Sequence, residues 1–92
     1  MTRALLTLVN PKGLHARASH KLAQTICQFD CECSIRFGER VADGRQIMSI
    51  MMLAAPVGSE LQVLCTGPQA QACLTAVTDL IANGLGELGE RT

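Results

Sequence analysis

The chain has 92 residues, eight basic and eight acidic side chains, and hydrophobic residues at 48% of its positions, which predicts one globular domain over residues 1–92. No apolar run approaches the roughly 20 residues of a membrane span and no secretory signal is visible at the N-terminus, so we expect a cytoplasmic protein without membrane insertion. The zero net charge and the presence of only two aromatic residues argue against nucleic acid as a partner, because phosphate contacts need clustered basic side chains and base stacking needs aromatic ones.

Three stretches of the chain alternate between apolar and polar residues, as half-buried strands do. Their apolar members, in chain order, are Leu6 and Leu8; Cys31, Cys33, Ile35 and Phe37; and Leu61, Val63 and Cys65. The turn signal Gly38-Glu39 after the second stretch predicts a further short strand near residues 40–42, before the turn at Asp43-Gly44. The pattern therefore predicts four strands.

Helical spacing fills the intervals between and after the strands. The apolar stripes that indicate the first and the last helix are Leu22, Ala23 and Ile26, and Cys73, Leu74, Val77, Leu80 and Ile81. The short apolar segment 47–53 is a further helix candidate, and the last helix should end at Asn83-Gly84. Gly67-Pro68 should end the preceding strand and place the proline in the first turn of the last helix.

The predicted order of elements is β-α-β-β-α-β-α. Strands with one polar face, alternating with helices that each have one apolar stripe, indicate an antiparallel sheet covered by helices on one side. We therefore predict an α+β open-faced sandwich, in which a four-stranded antiparallel sheet carries three helices on one face.

The segment NPKGLHARAS, residues 10–19, leads a turn into the first helix and holds the clearest candidate site. If the helix begins at Ala16 or Arg17, His15 occupies its N-cap, where unpaired backbone N–H groups and the helix dipole favour an anion. The guanidinium of Arg17 matches phosphate oxygens, and Gly13 gives the preceding turn its backbone freedom. A neutral imidazole here suits attack on phosphorus, while an exposed histidine beside a solvated arginine remains the alternative from spacing alone.

The chain has no visible secretory signal and an odd number of cysteines, five in all: Cys27, Cys31, Cys33, Cys65 and Cys73. This favours reduced, mostly buried thiols over a disulfide framework. A metal-handling module built on the first three cysteines is an alternative, but no Cys-x-x-Cys pair occurs, and strand alternation points Cys31 and Cys33 into the core. We expect no metal and no cofactor.

Two parts of the sequence together resemble a known family. The Gly-Leu-His-Ala-Arg segment and the closing stretch GSELQVLCTGPQAQACLTAVTDLI are similar to those of the HPr family, the phosphocarrier proteins of the bacterial phosphoenolpyruvate-dependent phosphotransferase system. The resemblance covers essentially the whole chain and is closest to the nitrogen-related NPr branch. It implies the HPr-like open-faced β-sandwich and a carrier protein rather than an enzyme.

The resemblance also implies roles for the candidate residues. His15 would be phosphorylated on Nδ1 by phosphorylated enzyme I or its nitrogen-branch counterpart, and the phosphoryl group would then pass to a histidine of an EIIA-type acceptor. Arg17 and the backbone N–H groups of Ala16 and Arg17 would hold the phosphoryl group. We expect the carrier to be a monomer.

The chain departs from the family pattern at two positions. Ala18 follows the motif arginine where the family usually has proline, which leaves open an HPr-like regulatory binding protein with weak or lost phosphotransfer. Gln46 stands where many members carry a regulatory serine, so the serine switch should be absent. Ser49, one turn along, is expected to be an ordinary helix residue.

The stretch QIMSIMML, residues 46–53, places three methionines in a helix too short to bury every apolar side chain. Ile50 and Leu53 can face the sheet, which would leave a partly exposed set beside His15: Ile47, Met48, Met51 and Met52. Flexible methionines suit a surface that binds several partners weakly, and the family docks its phosphoryl donor and acceptor in this region. The alternative is that these side chains belong to the core.

Overall fold

The computed structural model of the chain describes residues 1–87. Within these residues lie four strands, three α-helices and one short 3-10 turn, in the order that the sequence predicts. In chain order they are β1 (Thr2–Thr7), α1 (Ala16–Ile26), β2 (Glu32–Phe37), β3 (Arg40–Asp43), α2 (Ile47–Met51), β4 (Glu60–Thr66), α3 (Ala70–Ala82) and the 3-10 turn Gly84–Gly86. None of the helices in this part of the chain is long and apolar enough to cross a membrane.

The strands form one antiparallel sheet in the order β1-β4-β2-β3, so β4 and β2 are the interior strands. Burial alternates along β4, where Leu61, Val63 and Cys65 are buried and the residues between them are more exposed. Opposite them on β2 stand Cys33 and Ile35. The apolar residues of both strands therefore share one face, because side chains directly opposite in an antiparallel pair point the same way. The predicted four-stranded antiparallel sheet is confirmed.

One hydrophobic core joins the sheet to all three helices. The largest contributions from the helices are Leu22 and Ile26 in α1, Ile50 in α2, and Val77 and Ile81 in α3, each at most 2% exposed. Burial of a side chain of this size stabilises a fold by roughly 1.5–3 kcal/mol, which exceeds the helix propensity difference at an ordinary position. Packing on the sheet therefore decides where the helices lie, and the predicted open-faced arrangement is confirmed.

The ends of several elements differ from the sequence prediction. Leu8 and Cys31 are buried but lie just outside β1 and β2. α2 ends two residues before Leu53, because the N–H of Leu53 donates to the carbonyl of Ile50 (3.1 Å) in a tighter turn. Ala54 then takes a left-handed conformation with a φ of 52°, which takes the chain out of the helix.

Pro68 lies before α3 rather than in its first turn, which corrects the prediction. The turn that contains Pro68 is tied to the loop before β2. The N–H of Gln69 donates to the carbonyl of Asp30 (3.0 Å), and the N–H of Asp30 donates to Oε1 of Gln69 (2.7 Å). The bond from the N–H of Cys73 to the carbonyl of Gln69 (2.9 Å) then begins the helix, with Gln69 as its N-cap.

The loop between β1 and α1 is anchored to the segment that follows α2. The N–H of Leu14 donates to the carbonyl of Ala55 (3.0 Å). Gly13 has a φ of +62°, and a Cβ at this position would lie 2.3 Å from the carbonyl oxygen of Ala55. Only glycine fits so close an approach, so Gly13 sets the position of the chain two residues before His15.

We predict that Gly13→Ala destabilises the protein much more than Gly38→Ala, its matched control. Gly38 also has a positive φ, +61°, but nothing lies within 4 Å of where its Cβ would stand. The control should lose about 1–2 kcal/mol of unfolding free energy through left-handed strain alone, and Gly13→Ala about 1–3 kcal/mol more through the clash with Ala55. Urea unfolding followed by circular dichroism measures both losses. Equal losses would contradict the steric role of Gly13.

Candidate functional site

His15 stands at the junction where the β1–α1 loop becomes α1. It is the N-cap residue, with extended backbone angles (φ −81°, ψ −177°), and its carbonyl accepts the N–H of Ser19 (2.9 Å) as the first helical hydrogen bond. The imidazole makes no capping bond to the helix, and 27% of the side chain is exposed. The helix begins at Ala16, as the sequence predicts, and the ring of His15 is directed to groups outside the helix.

The carboxylate of Glu87 contacts the imidazole of His15. Nε2 of His15 hydrogen-bonds to Oε2 of Glu87, while Oε1 of Glu87 accepts a hydrogen bond from Nδ2 of Asn10 (2.9 Å). Nε of Arg17 lies 3.8 Å from the same Oε2. Only 5% of the Glu87 side chain is exposed, so a buried carboxylate lies between the two residues that the sequence singles out.

The carboxyl group of Glu87 has a pKa below its ordinary value. Burial by itself raises this pKa, but the hydrogen bonds from Asn10 and His15 and the attraction of His15 and Arg17 outweigh the effect of burial. An ionised carboxylate can only accept hydrogen bonds, so the proton that this pair shares belongs to Nε2 of the imidazole. In the neutral ring, Nδ1 then carries the lone pair.

Sequence reasoning missed Glu87. The residue lies 72 positions from His15 along the chain, and no local pattern connects an acidic side chain after the last helix with a histidine before the first. The nearest signal is Asn10 at the start of the quoted motif. It is fully buried, and its Nδ2 donates both to the carbonyl of Gly13 (2.8 Å) and to Glu87, so it joins the turn to the carboxylate.

The start of α1 brings the other predicted residues next to His15. Ala16 and Arg17 are the first two helical residues. Their backbone N–H groups come before that of Ser19, which donates the first helical hydrogen bond. The Arg17 side chain is 52% exposed. Ala18, where the family usually has proline, is fully buried in the core.

The short helix α2 presents apolar side chains to solvent. Met48 and Met52 are 67% and 74% exposed and Ile47 is 37% exposed, whereas Ile50 and Leu53 are buried in the core. Met51 is half-buried. The predicted division between core and exposed residues is thus confirmed. α2 packs against α1, and the segment that follows α2 is the one that holds the β1–α1 loop.

Gln46 is the N-cap residue of α2 and makes no capping bond with its side chain. Ser49, inside the helix, accepts a hydrogen bond at Oγ from the N–H of Asp43 (2.9 Å), which joins α2 to the end of β3. Cys27 is exposed, and its Sγ contacts the carbonyl of Arg45 (3.5 Å), whereas the other four cysteines are buried. Cys27, Cys31 and Cys33, which lie close together in the sequence, therefore differ in exposure.

Comparison with known proteins agrees on one family. A family model described as "PTS HPr component phosphorylation site" matches residues 3–83. The phosphocarrier protein HPr of Cupriavidus necator is 42% identical over 81 residues, which cover 88% of this chain and 91% of the relative. The phosphocarrier protein NPr of Shewanella violacea is 37% identical over 76 residues, which cover 83% of this chain and 84% of the relative. Because relatives of both names match, placement in the NPr branch stays a prediction.

The fold agrees with the sequence match. The crystal structure of HPr-C-His from Thermoanaerobacter tengcongensis is similar with a TM-score of 0.90 at 26% identity, and the match covers 95% of this chain and 98% of that chain. The similarity therefore extends to the arrangement of the sheet and its three helices. With the family model matching most of its length, the chain belongs to the HPr family, whose members are phosphocarrier proteins of the phosphotransferase system and not enzymes.

Proposed function

We propose that this chain carries a phosphoryl group on Nδ1 of His15, receiving it from an enzyme I-type donor or its nitrogen-branch counterpart and passing it to an EIIA-type histidine. Membership of the HPr family supports the carrier role itself. The observation that most supports His15 as the carrier residue is the hydrogen bond between its Nε2 and Glu87, because this bond keeps the ring proton away from Nδ1.

In the proposed transfer, the lone pair of Nδ1 attacks the phosphorus of a phosphohistidine on the donor. A P–N bond to His15 forms as the donor's P–N bond breaks, and the donor ring takes back the electron pair of that bond. No proton has to leave Nδ1, because the proton of the His15 ring is on Nε2 next to Glu87. The same exchange with an acceptor histidine delivers the group.

The start of α1 can hold the charge that the phosphoryl group brings. The N–H groups of Ala16 and Arg17 lie in the first turn of the helix, where the helix dipole favours an anion. We assign the guanidinium of Arg17 to the phosphoryl oxygens, because its planar donors match them in geometry and charge. Arg17 would then balance two anions, the phosphoryl group and the Glu87 carboxylate 3.8 Å from its Nε.

The exposed and half-buried apolar residues of α2 and its C-terminus form the proposed docking surface for both partners: Ile47, Met48, Met51 and Met52. Methionines adapt their side chains to different surfaces. A carrier must also release each partner, which calls for a small, transient interface of about 1,200 Å² or less. On this proposal the whole chain acts as a single-domain monomer in the cytoplasm.

Ala18 gives no support to the alternative of a regulatory protein without phosphotransfer. The side chain of Ala18 fills a place in the core, and α1 still begins at Ala16 with His15 at its N-cap. The absence of proline therefore leaves the helix start and the nucleophile in place.

We predict that His15→Ala abolishes phosphoryl uptake and that His20→Ala does not. The chain has two histidines, and His20 is exposed on α1, so it is a matched control for unspecific labelling. Incubation with phosphoenolpyruvate and the cognate enzyme I, followed by phosphorus NMR, should give the signal of an Nδ1-phosphohistidine in the wild type and in His20→Ala. Uptake by His15→Ala, or no uptake by the wild type, would refute the proposal.

We predict that Glu87→Gln shifts the neutral His15 ring toward the tautomer with its proton on Nδ1, and that phosphoryl uptake slows with it. The amide can offer a donor to Nε2, whereas the carboxylate can only accept. Nitrogen NMR of the imidazole reports the tautomer directly, and this readout does not respond to a merely structural defect. Glu60→Gln, at an exposed site, is the matched control and should change neither quantity.

The contribution of Glu87 to stability should depend on pH. Because the fold lowers the pKa of this carboxyl, its stabilisation is fully present above the unfolded value of about 4.3 and is lost as the pH falls through the lower folded value. At pH 7, Glu87→Gln should lower the unfolding free energy by about 1.5–3 kcal/mol, the range for hydrogen bonds to charged groups. The difference from the wild type should shrink as the pH falls from the unfolded pKa through the lowered folded pKa of this carboxyl, and a difference independent of pH would contradict this assignment.

We predict that the double variant Met48→Asp, Met52→Asp slows phosphoryl transfer from enzyme I by about tenfold or more while leaving the fold intact. Two carboxylates on the docking surface would have to be desolvated in each complex. Leu5→Asp is the control, because Leu5 is 63% exposed on β1 and lies outside α2. Stopped-flow transfer kinetics measure the effect, and equal rates for both variants would remove this surface from the proposal.

A further inference from the structure

Three buried thiols from three different elements meet in the core. Cys33 of β2, Cys65 of β4 and Cys73 of α3 place their Sγ atoms within 4.8 Å of one another. Cys33 and Cys65 are register partners on neighbouring strands, with their sulfurs 3.6 Å apart. This set differs from the one that local sequence spacing groups, because two of its members are separated from Cys33 by more than thirty positions.

The thiol cluster, Cys33, Cys65 and Cys73, is buried in closely packed surroundings. The three residues are at most 4% exposed. A Cβ on Gly44 would lie 2.9 Å from Cδ1 of Ile26 and 3.0 Å from Sγ of Cys33, so even a methyl group is excluded from one side of the cluster. Burial raises the pKa of all three thiols, which keeps them protonated and unreactive at neutral pH when nothing is bound.

We propose that the thiol cluster is a binding site for a thiophilic monovalent cation, Cu(I). A donor set made of sulfur alone selects soft cations. A cation about 2.3 Å from each of three sulfurs in a plane separates the sulfurs by about 4.0 Å. This separation lies between the 3.6 Å that joins the sulfurs of Cys33 and Cys65 and the limit of 4.8 Å for the set. Structural Zn²⁺ is almost always held by four ligands in a tetrahedron, and Cys31 is not part of the set whose sulfurs all lie within 4.8 Å of one another. Cu(I) is satisfied by two or three sulfurs.

Cu(I) binds without any change of oxidation state, and protons and charge balance as follows. Two thiols each lose a proton to solvent and form a Cu–S bond, and the third sulfur approaches as a neutral thiol. The bound group carries one negative charge, which is less costly to bury than the charge of a fully deprotonated set. Arg45 supplies a positive charge on this side of the fold, since its Nη1 donates to the carbonyl of Cys31 (3.2 Å).

Cys31 provides a path between the cluster and the surface. It is 8% exposed and, with Cys33, is among the residues that line a surface depression formed by β2, β3 and β4. After burial, the neighbouring thiol of Cys31 contributes to the raised pKa of Cys65 and Cys73. A cation that first binds Cys31 can therefore reach the cluster by exchange between neighbouring sulfurs, without crossing the apolar core.

The proposal is tested on the full chain, fully reduced and free of oxygen, by titration with Cu(I) against the chelator bathocuproine disulfonate. We expect one Cu(I) per chain, release of about two protons, and ultraviolet absorption from sulfur-to-copper charge transfer. Cys73→Ala and Cys33→Ala should each weaken the affinity by about 100-fold or more, because loss of a ligand exceeds the 10–100-fold effect of losing a supporting residue. Cys27→Ala should bind like the wild type.

Outcomes against the proposal are equally definite. Retention of all copper by the chelator, or loss of binding in Cys27→Ala, would overturn it. X-ray absorption on the copper-loaded wild type gives a test that needs no variant to fold. Two or three sulfur neighbours near 2.2–2.3 Å support the site, and nitrogen or oxygen neighbours contradict it.

Discussion

The buried amide of Asn10 is the hydrogen-bond donor on which the candidate site depends. One nitrogen donates to the carbonyl of Gly13 and to the carboxylate of Glu87, so the turn before His15 and the last described turn of the chain are held to the same side chain. Without such donors a buried carboxyl group would take up a proton, because burial alone raises its pKa. Asn10 therefore acts on both the charge of Glu87 and the path of the loop, while His15 and Arg17 help to keep the carboxylate ionised.

The site at rest already contains an anion near the place where the proposed phosphoryl group is held. The carboxylate of Glu87 and a phosphoryl group on His15 would repel each other, and Arg17 would be shared between them. Such repulsion suits a carrier, since a group that is bound too favourably would not be passed on. The N–H groups at the start of α1 supply fixed stabilisation, and the carboxylate limits how much of it remains after transfer.

The sequence predicts most of the fold because the core is encoded locally. Alternation of Leu61, Val63 and Cys65 identifies β4 and its buried face without any tertiary information. Contacts between segments that are far apart along the chain produce no such pattern in the sequence. Glu87 reaches His15 across 72 positions. Cys73 meets Cys33 only because α3 packs on β4, the strand that pairs with β2. Helix ends are also set by tertiary bonds, as the pairing of Gln69 with Asp30 shows at the start of α3.

The replacement of the family proline by Ala18 has two opposing physical effects on the site. Proline would reduce the entropy of the unfolded chain, an advantage of about 0.4–1 kcal/mol that alanine gives up. However, alanine has a backbone N–H that proline lacks. The first helical hydrogen bond is donated by the N–H of Ser19 to the carbonyl of His15. The N–H of Ala18 therefore lies in the first turn, as do those of Ala16 and Arg17. The chain thus gains a third backbone donor at the helix end that faces the proposed phosphoryl group, and this gain offsets part of the lost rigidity.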